Sequence, residues 1–438
     1  MSSNIPTRSI FCRDNLDVLE GINSSCIDLI YLDPPFNKNK TFTAPIGSHA
    51  EGASFKDIFR KEDLKGEWLK TIEEDEPKLH SFLESVQTMG GRNSHDFCYL
   101  AYMGIRLLEC HRILKDTGSI YLHCDPTMSH YLKLLMDCIF EENNFRNEIV
   151  WNKGFRGTPR KTRYQQEHEI VFYYGKGKNV IWNQQTVSYK NKKMSRYNKR
   201  DEEGNKYALV KRKRTDGTIY YGRTYPKGKR IGDVIHIPTL ASTSRERTHY
   251  PTQKPLALLE RIIKTSSNEG DLILDLFCGC ATTCVAAEKL ERKWIGIDVS
   301  ITAYNLVKRR LAKEVEGKEN GQAGMLFWEE KIKYQQKLPK RTDQGVDYRE
   351  KKYIYVISHP KYPGEYKVGI AKDLKKNFSG YQRTDPERAY EYEYSRLSPR
   401  FREVEKHIHE VFPNKHEWVQ APLEEIIAEI KGVDKARI

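Results

Sequence analysis

The stretch that decides the fold spans residues 25–36 and reads Ser25-Cys26-Ile27-Asp28-Leu29-Ile30-Tyr31-Leu32-Asp33-Pro34-Pro35-Phe36. Its first eight residues form an apolar run that is typical of a buried parallel strand. The two prolines must end that strand, because proline cannot donate to a ladder and restricts the residue before it. The sequence therefore predicts a stiff turn at the carboxyl end of a strand, where open α/β sheets bind their ligands.

The turn itself combines an acidic side chain, rigid carbonyls and an aromatic ring in Asp33, Pro34, Pro35 and Phe36. A carboxylate and a proline carbonyl can accept the two N–H bonds of a planar amine while the ring stacks on its face. An ordinary strand-ending turn with an acidic first residue is the simpler interpretation. A second motif far along the chain decides between the two.

The second motif reads Asp271-Leu272-Ile273-Leu274-Asp275-Leu276-Phe277-Cys278-Gly279-Cys280-Ala281-Thr282-Thr283. It predicts a buried strand, a loop of small residues and a helix, and a further strand follows that ends at Asp298. Small residues let the backbone approach a ligand, and an acid about 20 residues further on can accept both hydroxyls of a ribose. The G-x-G-x-x-G spacing of a pyrophosphate site is missing, so S-adenosylmethionine fits better than NAD.

Composition narrows the class of partner. The chain has 438 residues, 38% hydrophobic and 31% charged, which predicts two or three globular domains. The formal net charge of +14 favours a polyanion, nucleic acid before membrane, because no apolar run of membrane length is present. The nine cysteines are scattered and no signal peptide precedes them, which predicts a cytoplasmic protein with reduced thiols. The cysteines at 278, 280 and 284 lack a second ligand pair for zinc.

Composition also changes along the chain. Residues 37–65 are rich in Gly, Ser, Lys and Asn and predict a long mobile loop of the kind that forms lids. Residues 152–248 interleave basic and aromatic residues, as in the run 211–214 and in 220–223, which suits contacts to phosphates and bases. A solvated insertion with hairpins is the alternative. Residues 315–352 have the composition of a linker, and residues 353–438 predict a small α+β domain.

The two motifs, in this order, resemble those of the beta-class DNA amino-methyltransferases. In that family the Asp-Pro-Pro-aromatic motif precedes the cofactor motif, with the target-recognition region between them. The segment Tyr250-Pro251-Thr252-Gln253-Lys254-Pro255 is similar to the family's cofactor-side segment, so the resemblance covers residues 10–312. One departure is Ala281, at a position where this loop often has Gly.

The resemblance implies a Rossmann-like α/β methyltransferase sheet with an inserted target-recognition region. Residues 1–151 and 249–314 would form the catalytic and cofactor-binding parts, and residues 152–248 the recognition region. The enzyme would flip a base out of double-stranded DNA and hold its amine at Asp33, with Pro34, Pro35 and Phe36 completing the catalytic site. The residues expected to bind S-adenosylmethionine are Asp275, Phe277, Cys278, Gly279 and Thr282, with Asp298 on the ribose and Lys254 on the carboxylate.

The family resemblance also bears on the substrate. Asp at the first motif position is commoner in adenine-N6 enzymes and Ser in cytosine-N4 enzymes, so Asp33 favours adenine and leaves cytosine as the alternative. A restriction-modification or phage context and a homodimer are compatible with the resemblance.

The C-terminal part resembles a second family, the GIY-YIG nuclease superfamily. Tyr353-Ile354-Tyr355 matches the first half of its motif and Lys367-Val368-Gly369 a variant of the second. The resemblance implies that Tyr355 acts on the attacking water, that Gly369 belongs to the second half-motif and that Glu405 holds Mg²⁺. Asn377 stands where the family has a catalytic Arg, and an amide cannot supply the missing charge.

The sequence thus leaves three functions open. The first is a site-specific DNA methyltransferase, and the second is a nuclease whose methyltransferase part recognises sites. The third is a DNA-binding regulator without catalysis, for which a small C-terminal binding module would suffice.

Overall fold

The structure is a computed structural model. It describes residues 3–48, 50–89, 93–154, 161–162, 164–187, 196–225, 229–315, 328–343, 352–371, 374–398, 401–415 and 418–435.

Sixteen strands and eight α-helices precede residue 344 in the described part of the chain. The strands are β1 (Ser9–Cys12), β2 (Ile27–Leu32), β3 (Lys40–Thr43), β4 (Ser54–Asp57), β5 (Leu114–Cys124), β6 (Phe145–Asn152), β7 (His168–Gly175), β8 (Thr186–Val187), β9 (Lys199–Arg200), β10 (Lys206–Lys213), β11 (Ile219–Thr224), β12 (Lys229–Arg230), β13 (Val234–His236), β14 (Leu272–Asp275), β15 (Lys293–Asp298) and β16 (Lys333–Gln335). The helices are α1 (Asn15–Glu20), α2 (Gly66–Asp75), α3 (Pro77–Thr88), α4 (Asn93–Ile113), α5 (Ser129–Phe140), α6 (Leu256–Ser266), α7 (Thr282–Lys289) and α8 (Ile301–Glu314), with short 3₁₀ turns at Lys61–Asp63 and Glu142–Asn144.

A nine-stranded sheet forms the centre, in the order β13-β6-β7-β5-β2-β14-β15-β1-β16. Among these strands only β7 runs against the others, pairing antiparallel with both β5 and β6. Strands β2 and β14 are buried along their whole length, as their mainly apolar sequences predicted. The expected doubly wound α/β sheet is confirmed, with one strand reversed.

Helices cover both faces of this sheet. Helices α1, α3, α4 and α5 pack on the face that carries Ile30 and Leu32. Helices α6, α7 and α8 pack on the other face, against Leu29, Tyr31 and Ile273. Successive side chains along β2 therefore point to opposite faces of the sheet and belong to two separate hydrophobic cores.

The two motif-bearing strands are direct neighbours. Strand β14 pairs parallel with β2, with Leu274 opposite Ile30 and Asp275 opposite Tyr31. Parallel neighbours end at the same edge of the sheet, so the turn after β2 and the loop after β14 share one crevice. This is the geometry on which the methyltransferase interpretation depends.

The segment that the sequence predicted to be a long mobile loop contains a hairpin, formed by β3 and β4. Strands β3 and β4 pair antiparallel, and the rings of Phe42 and Phe55 stack with centroids 5.0 Å apart. Three alanines in and beside the hairpin loop pack with Cys280 and Leu306, next to the small-residue loop. The polar composition misled the prediction because the strands have only four residues each and two stacked rings stabilise them.

Residues 328–343, which fall in the predicted linker, pack against the sheet. Strand β16 pairs parallel with the outer side of β1. Trp328 is buried, and the Asn4 side chain donates to the Lys340 carbonyl at 2.7 Å. The Asp343 carboxylate accepts a hydrogen bond from the Ser24 backbone N–H. We call residues 328–343 the edge strap.

The C-terminal part has its own sheet and core. Its strands are β17 (Lys352–Ser358), β18 (Glu365–Ala371), β19 (Glu391–Ser398), β20 (Asn414–Lys415) and β21 (Trp418–Gln420), and its helices are α9 (Leu374–Thr384), α10 (Phe401–Val411) and α11 (Leu423–Lys435). The sheet order is β19-β17-β18-β21-β20. The predicted hairpin of β17 and β18 and the predicted α+β composition are both present. Across the described residues, no helix is both long enough and apolar enough to span a membrane.

Candidate functional site

A cavity of about 980 Å³ opens at the carboxyl edge of the central sheet. The turn after β2 and the loop after β14 both line it, as do the hairpin and the ends of β6 and β7. Every residue predicted for the catalytic and cofactor sites contributes to its wall. These residues are Asp33, Pro34, Pro35, Phe36, Lys254, Asp275, Phe277, Cys278, Gly279, Thr282 and Asp298.

Asp33 is held by a lysine in this cavity. The Lys254 Nζ atom donates to both Asp33 oxygens, at 2.7 and 2.6 Å, and lies 5.3 Å from the centre of the Phe36 ring. Burial alone would lower the pKa of Lys254, but the carboxylates of Asp33 and Glu169 raise it overall. The lysine is therefore a cation, and its charge balances Asp33 before any substrate arrives.

Glu169 is the centre of a second set of charges beside this pair. Its carboxylate forms an ion pair with Lys153 and lies 4.0 Å from Lys254. Burial opposes its ionisation, yet Lys254 and His123 lower the pKa of Glu169 far below its usual value. The wall next to Asp33 thus carries two carboxylates and two lysines in alternation.

His123 lies behind Glu169 and is fully buried. Its Nε2 atom is 2.8 Å from a Glu169 oxygen, at an angle poor for a hydrogen bond, so the contact is mainly electrostatic. Its Nδ1 atom is 2.8 Å from the Tyr31 hydroxyl. If Tyr31 donates to Nδ1, the proton of a neutral ring is on Nε2. The ring also packs edge-on against Trp151, which fixes its orientation.

The loop after β14 bends through two left-handed residues, Gly279 (φ +49°) and Ala281 (φ +57°). A Cβ atom on Gly279 would lie 2.8 Å from the Tyr250 ring, so the backbone and this ring are in close contact. Alanine rarely adopts such a φ, and the residue that departs from the family pattern is therefore strained. On the far side, the buried Asn15 side chain donates to the Leu276 carbonyl, which anchors the start of the loop.

Two aspartates flank this loop. Asp298 accepts hydrogen bonds from the backbone N–H groups of Gly279 and Ser300, both at 2.8 Å, and each oxygen keeps a further lone pair. Asp275 accepts from the Phe277 N–H at 3.0 Å. Burial raises the pKa of Asp275 to about 7, although hydrogen bonds from Thr283 and Phe277 oppose the shift. Asp275 is thus a buried carboxyl, and no cation from the described residues lies beside it to hold its charge.

Sequence reasoning missed part of this wall. His123, Lys153 and Glu169 were not among the predicted site residues, and Lys254 contacts Asp33 rather than standing alone as a cofactor ligand. One signal was available, since Glu169 is the acidic start of an apolar strand whose other residues face two cores. Thr282 is engaged too, because its hydroxyl accepts from Arg310 at 2.7 Å.

Tyr355 and the core-facing residues of the helix that carries Glu405 lie on opposite faces of the C-terminal sheet. Tyr355 is buried on one face of its sheet, where its hydroxyl is 2.7 Å from that of Tyr381 and presses on Gly369. Helix α10, which carries Glu405, packs with Phe401, Val404 and Ile408 against Ile354 and Val356, on the opposite face. The expectation that Tyr355 and Glu405 serve one nuclease site stays a prediction of the sequence. No group of three or more His, Cys, Asp or Glu side chains suited to a metal occurs in the described residues.

Comparison with known proteins identifies the class of enzyme. Residues 27–309 match the family described as DNA methylase, which is more than half of the chain. The chain belongs to the DNA methylase family and is a DNA methyltransferase. Residues 352–434 match the T5orf172 domain, and the GIY-YIG assignment of this part is not shown by that match.

Curated relatives cover the methylase part. The DNA adenine methyltransferase YhdJ of Escherichia coli K12 is 28% identical over 305 residues, which is 69% of this chain and 82% of the relative. The Type II methyltransferase M1.MboII of Moraxella bovis is 30% identical over 198 residues, or 44% of this chain and 71% of the relative. Similar solved structures include the cytosine-N4-specific PvuII DNA methyltransferase (TM-score 0.42, 13% identity, 75% of this chain and 95% of that one). The M1.HpyAVI–SAM complex has a TM-score of 0.36 and 20% identity, with 69% and 99% coverage.

Proposed function

We propose that this enzyme transfers a methyl group from S-adenosylmethionine to the N6 amine of an adenine flipped into the cavity. The observation that carries the proposal is that Asp33 and the small-residue loop, on adjacent strand ends, open into one cavity. A cavity of about 980 Å³ has room for a nucleoside cofactor and a base together. Cytosine N4 is the second candidate, because both bases present an amine.

The residues present fit the cofactor. Gly279 and Tyr250 both line the cavity, and the tight contact between them sets the path of the loop backbone beside which the cofactor would lie. Asp298 has lone pairs for the ribose hydroxyls, and buried Asp275 lacks the cation that the cofactor's ammonium group would provide. Lys254, one of several cations in the cavity wall, would hold its carboxylate once it leaves Asp33. When bound, the cofactor supplies an electrophilic methyl group on a sulfonium.

The catalytic residues act on the base amine. An exocyclic nitrogen is a poor nucleophile because its lone pair is delocalised into the ring. Asp33 and the Pro34 carbonyl would accept its two N–H bonds, which favours a pyramidal nitrogen and stabilises the positive charge that develops there. Phe36 would stack on the base and return about 1–3 kcal/mol of the unstacking cost. Asp33 is then the nearest acceptor for the proton that the methylated amine must lose.

Lys254 sets the charge of Asp33 in this scheme. A cation at 2.6 Å weakens the carboxylate as a partner for a developing positive charge. Glu169 lies 4.0 Å from the same Nζ atom and is a second carboxylate with which the lysine can pair when it leaves Asp33. We infer that Lys254 shifts from Asp33 toward Glu169 and the cofactor carboxylate when the base enters.

Gly279→Ala should weaken S-adenosylmethionine binding about tenfold, which corresponds to 1.4 kcal/mol. The added Cβ atom would lie 2.8 Å from Tyr250 and displace the ring from the loop. Gly270→Ala is the matched control, because Gly270 is also left-handed (φ +82°) but has nothing within 4 Å of the added atom. Calorimetry should show weaker binding for the first variant alone, and equal affinities would contradict the assigned loop.

Cofactor binding should strengthen as the pH rises toward 7. Asp275 has a pKa of about 7 and is neutral below it, whereas an ammonium group binds the ionised form. The dissociation constant should therefore rise about tenfold for each pH unit below 7, and Asp275→Asn should remove this dependence.

The stability of the cofactor-free protein should change with pH in the opposite direction to cofactor binding. The folded pKa exceeds the ordinary 3.8, so the contribution of Asp275 to stability falls as the pH rises from about 4 to about 7. Titration calorimetry and thermal melts across this range measure both effects.

The proposed reaction is tested with the purified chain, labelled S-adenosylmethionine and duplex DNA of mixed sequence. Digestion to nucleosides followed by mass spectrometry should yield N6-methyladenine. N4-methylcytosine would select the second candidate. DNA binding without cofactor affinity would instead indicate a regulator.

A Mg²⁺-dependent nuclease is the second candidate function for the C-terminal part. The packing of the Tyr355 hydroxyl on Gly369 favours it, because the two half-motifs meet there as that resemblance expects. Two observations argue against a nuclease. The helix that carries Glu405 packs on the sheet face opposite Tyr355, and Asn377 stands where the family has a catalytic Arg. Incubating supercoiled plasmid with the chain and Mg²⁺ tests it, with Glu405→Ala as the control that must abolish nicking. A homodimer and a cytoplasmic location stay predictions of the sequence.

A further inference from the structure

A three-stranded ribbon, residues 199–225, extends from the methylase part. It consists of β9, β10 and β11, and within the described residues no helix or other sheet packs extensively on it. Leu209 and Val210 are adjacent on β10 and point to opposite faces, yet each is 43% exposed. Ile219 and Tyr221 on β11 are more exposed still. A ribbon with both faces exposed to solvent is marginally stable alone, and exposed apolar side chains mark interaction surfaces, so we expect the ribbon to bind a partner.

Charge is divided along this ribbon. Acidic residues 201–203 lie in the turn between β9 and β10, at the end where the ribbon joins the rest of the chain. The other end carries four consecutive cations, residues 211–214. The single acid near this tip, Asp216, accepts a hydrogen bond from the Thr218 N–H within the turn. The tip is therefore complementary to a polyanion, whereas the base is not.

Arg212 is held in place on one face of the tip. Cross-strand pairing puts Arg212 opposite Tyr220, on the same face as Gly222 and Thr224. The guanidinium donates to the Thr224 hydroxyl at 3.2 Å, and its Nε atom lies only 3.0 Å from where a Gly222 Cβ would be. No described carboxylate forms an ion pair with Arg212. By contrast, Arg223 on the other face stacks on Tyr207 and lies 3.9 Å from Glu202.

We propose that this ribbon enters the major groove of DNA and that Arg212 reads a guanine of the recognition sequence. A two-stranded ribbon fits a groove about 12 Å wide, and an arginine fork matches the O6 and N7 acceptors of guanine. An arginine already laid across a glycine loses little freedom on binding. Lys211 and Lys213, on the opposite face, contact phosphates and position the ribbon. The inference deepens the proposed function, since it names the element that selects the site.

The test compares the full-length chain with Arg212→Ala, Gly222→Val and Lys211→Ala. Selection of bound duplexes from a random pool, followed by sequencing, reports the preferred motif without requiring catalysis. Arg212→Ala should relax one guanine position about 10- to 100-fold. Gly222→Val should relax the same position, because the added side chain displaces the arginine. Lys211→Ala should keep the motif and lower the salt slope of binding by about one.

An unchanged motif for Arg212→Ala, or a motif without guanine, would overturn the assignment. Equal melting temperatures of the variants and the parent protein establish that folding is not the cause of any change. Failure of the proposed reaction is distinguishable, because a chain that methylates cytosine, or neither base, can still select duplexes through Arg212.

Discussion

Asp33→Ala should lower methyl transfer about 10³-fold while S-adenosylmethionine binding changes little. The magnitude is that of removing one group placed to stabilise charge in a transition state. Asp33 is the only acid in the turn after β2, and the sulfonium-side residues lie on a different strand end. Single-turnover transfer to duplex DNA measures the first quantity and calorimetry the second.

Folding must be separated from chemistry in this experiment, because Asp33→Ala leaves Lys254 without its bonds of 2.6 and 2.7 Å. The double variant Asp33→Ala/Lys254→Met removes both charges of this pair, and because Glu169 keeps Lys153, it should melt closer to the parent protein than Asp33→Ala does. It should still be inactive. Asp17→Ala, an exposed aspartate on α1, is the matched control with full activity. Activity of Asp33→Ala within tenfold of the parent would end the assigned mechanism.

Glu169→Ala should cause the largest loss of stability in the site, about 3 kcal/mol, because Lys153 would lose its ion-pair partner, His123 its neighbouring carboxylate and Lys254 its second carboxylate, all within a largely buried wall. A loss of this size lowers the melting temperature by roughly 6–12 °C in a domain of this kind. Calorimetric melts at neutral pH measure it.

The control for this variant is Glu148→Ala, an exposed acid on the neighbouring strand β6, which should shift the melt by less than about 2 °C. Acid gives an independent check. The folded pKa of Glu169 is depressed, so its stabilisation is present above its ordinary value of 4.5 and is lost as the pH falls below it. The gap between parent and variant should therefore narrow in acid, and a constant gap would contradict the ion-pair explanation.

The sequence was sufficient to predict the two strand ends. Apolar runs, residues 29–32 and 272–274, stop at Asp33 and at Asp275, and in a parallel sheet such strands must be buried between helices. A proline pair after the first strand and a run of small residues after the second then determine the two turns. Helix α1 was predictable as well, since Asp14 caps it by accepting from the Leu16 N–H.

The charged wall was not predictable in the same way. His123 and Glu169 come from β5 and β7 and Lys153 directly follows β6, and their contact depends on β7 running against its neighbours. No local sequence pattern indicates this reversal, because a buried apolar strand has the same composition whether it runs parallel or antiparallel to its neighbours. Lys254 lies in a loop before α6, so its partner depends on tertiary packing alone. The strands β3, β4 and β16 were not predicted for another reason: they have too few residues to show the two-residue alternation of apolar and polar side chains that indicates a strand.

The edge strap has a consequence for anyone who wishes to divide this protein. A cut just after α8, where composition suggests a natural joint, would strip β1 of its outer neighbour and expose an unsatisfied row of backbone amides and carbonyls. Such a bare margin recruits strands from other molecules. A truncated methylase part would therefore aggregate in solution unless it retained the residues up to Asp343, whose carboxylate accepts a hydrogen bond from the Ser24 N–H.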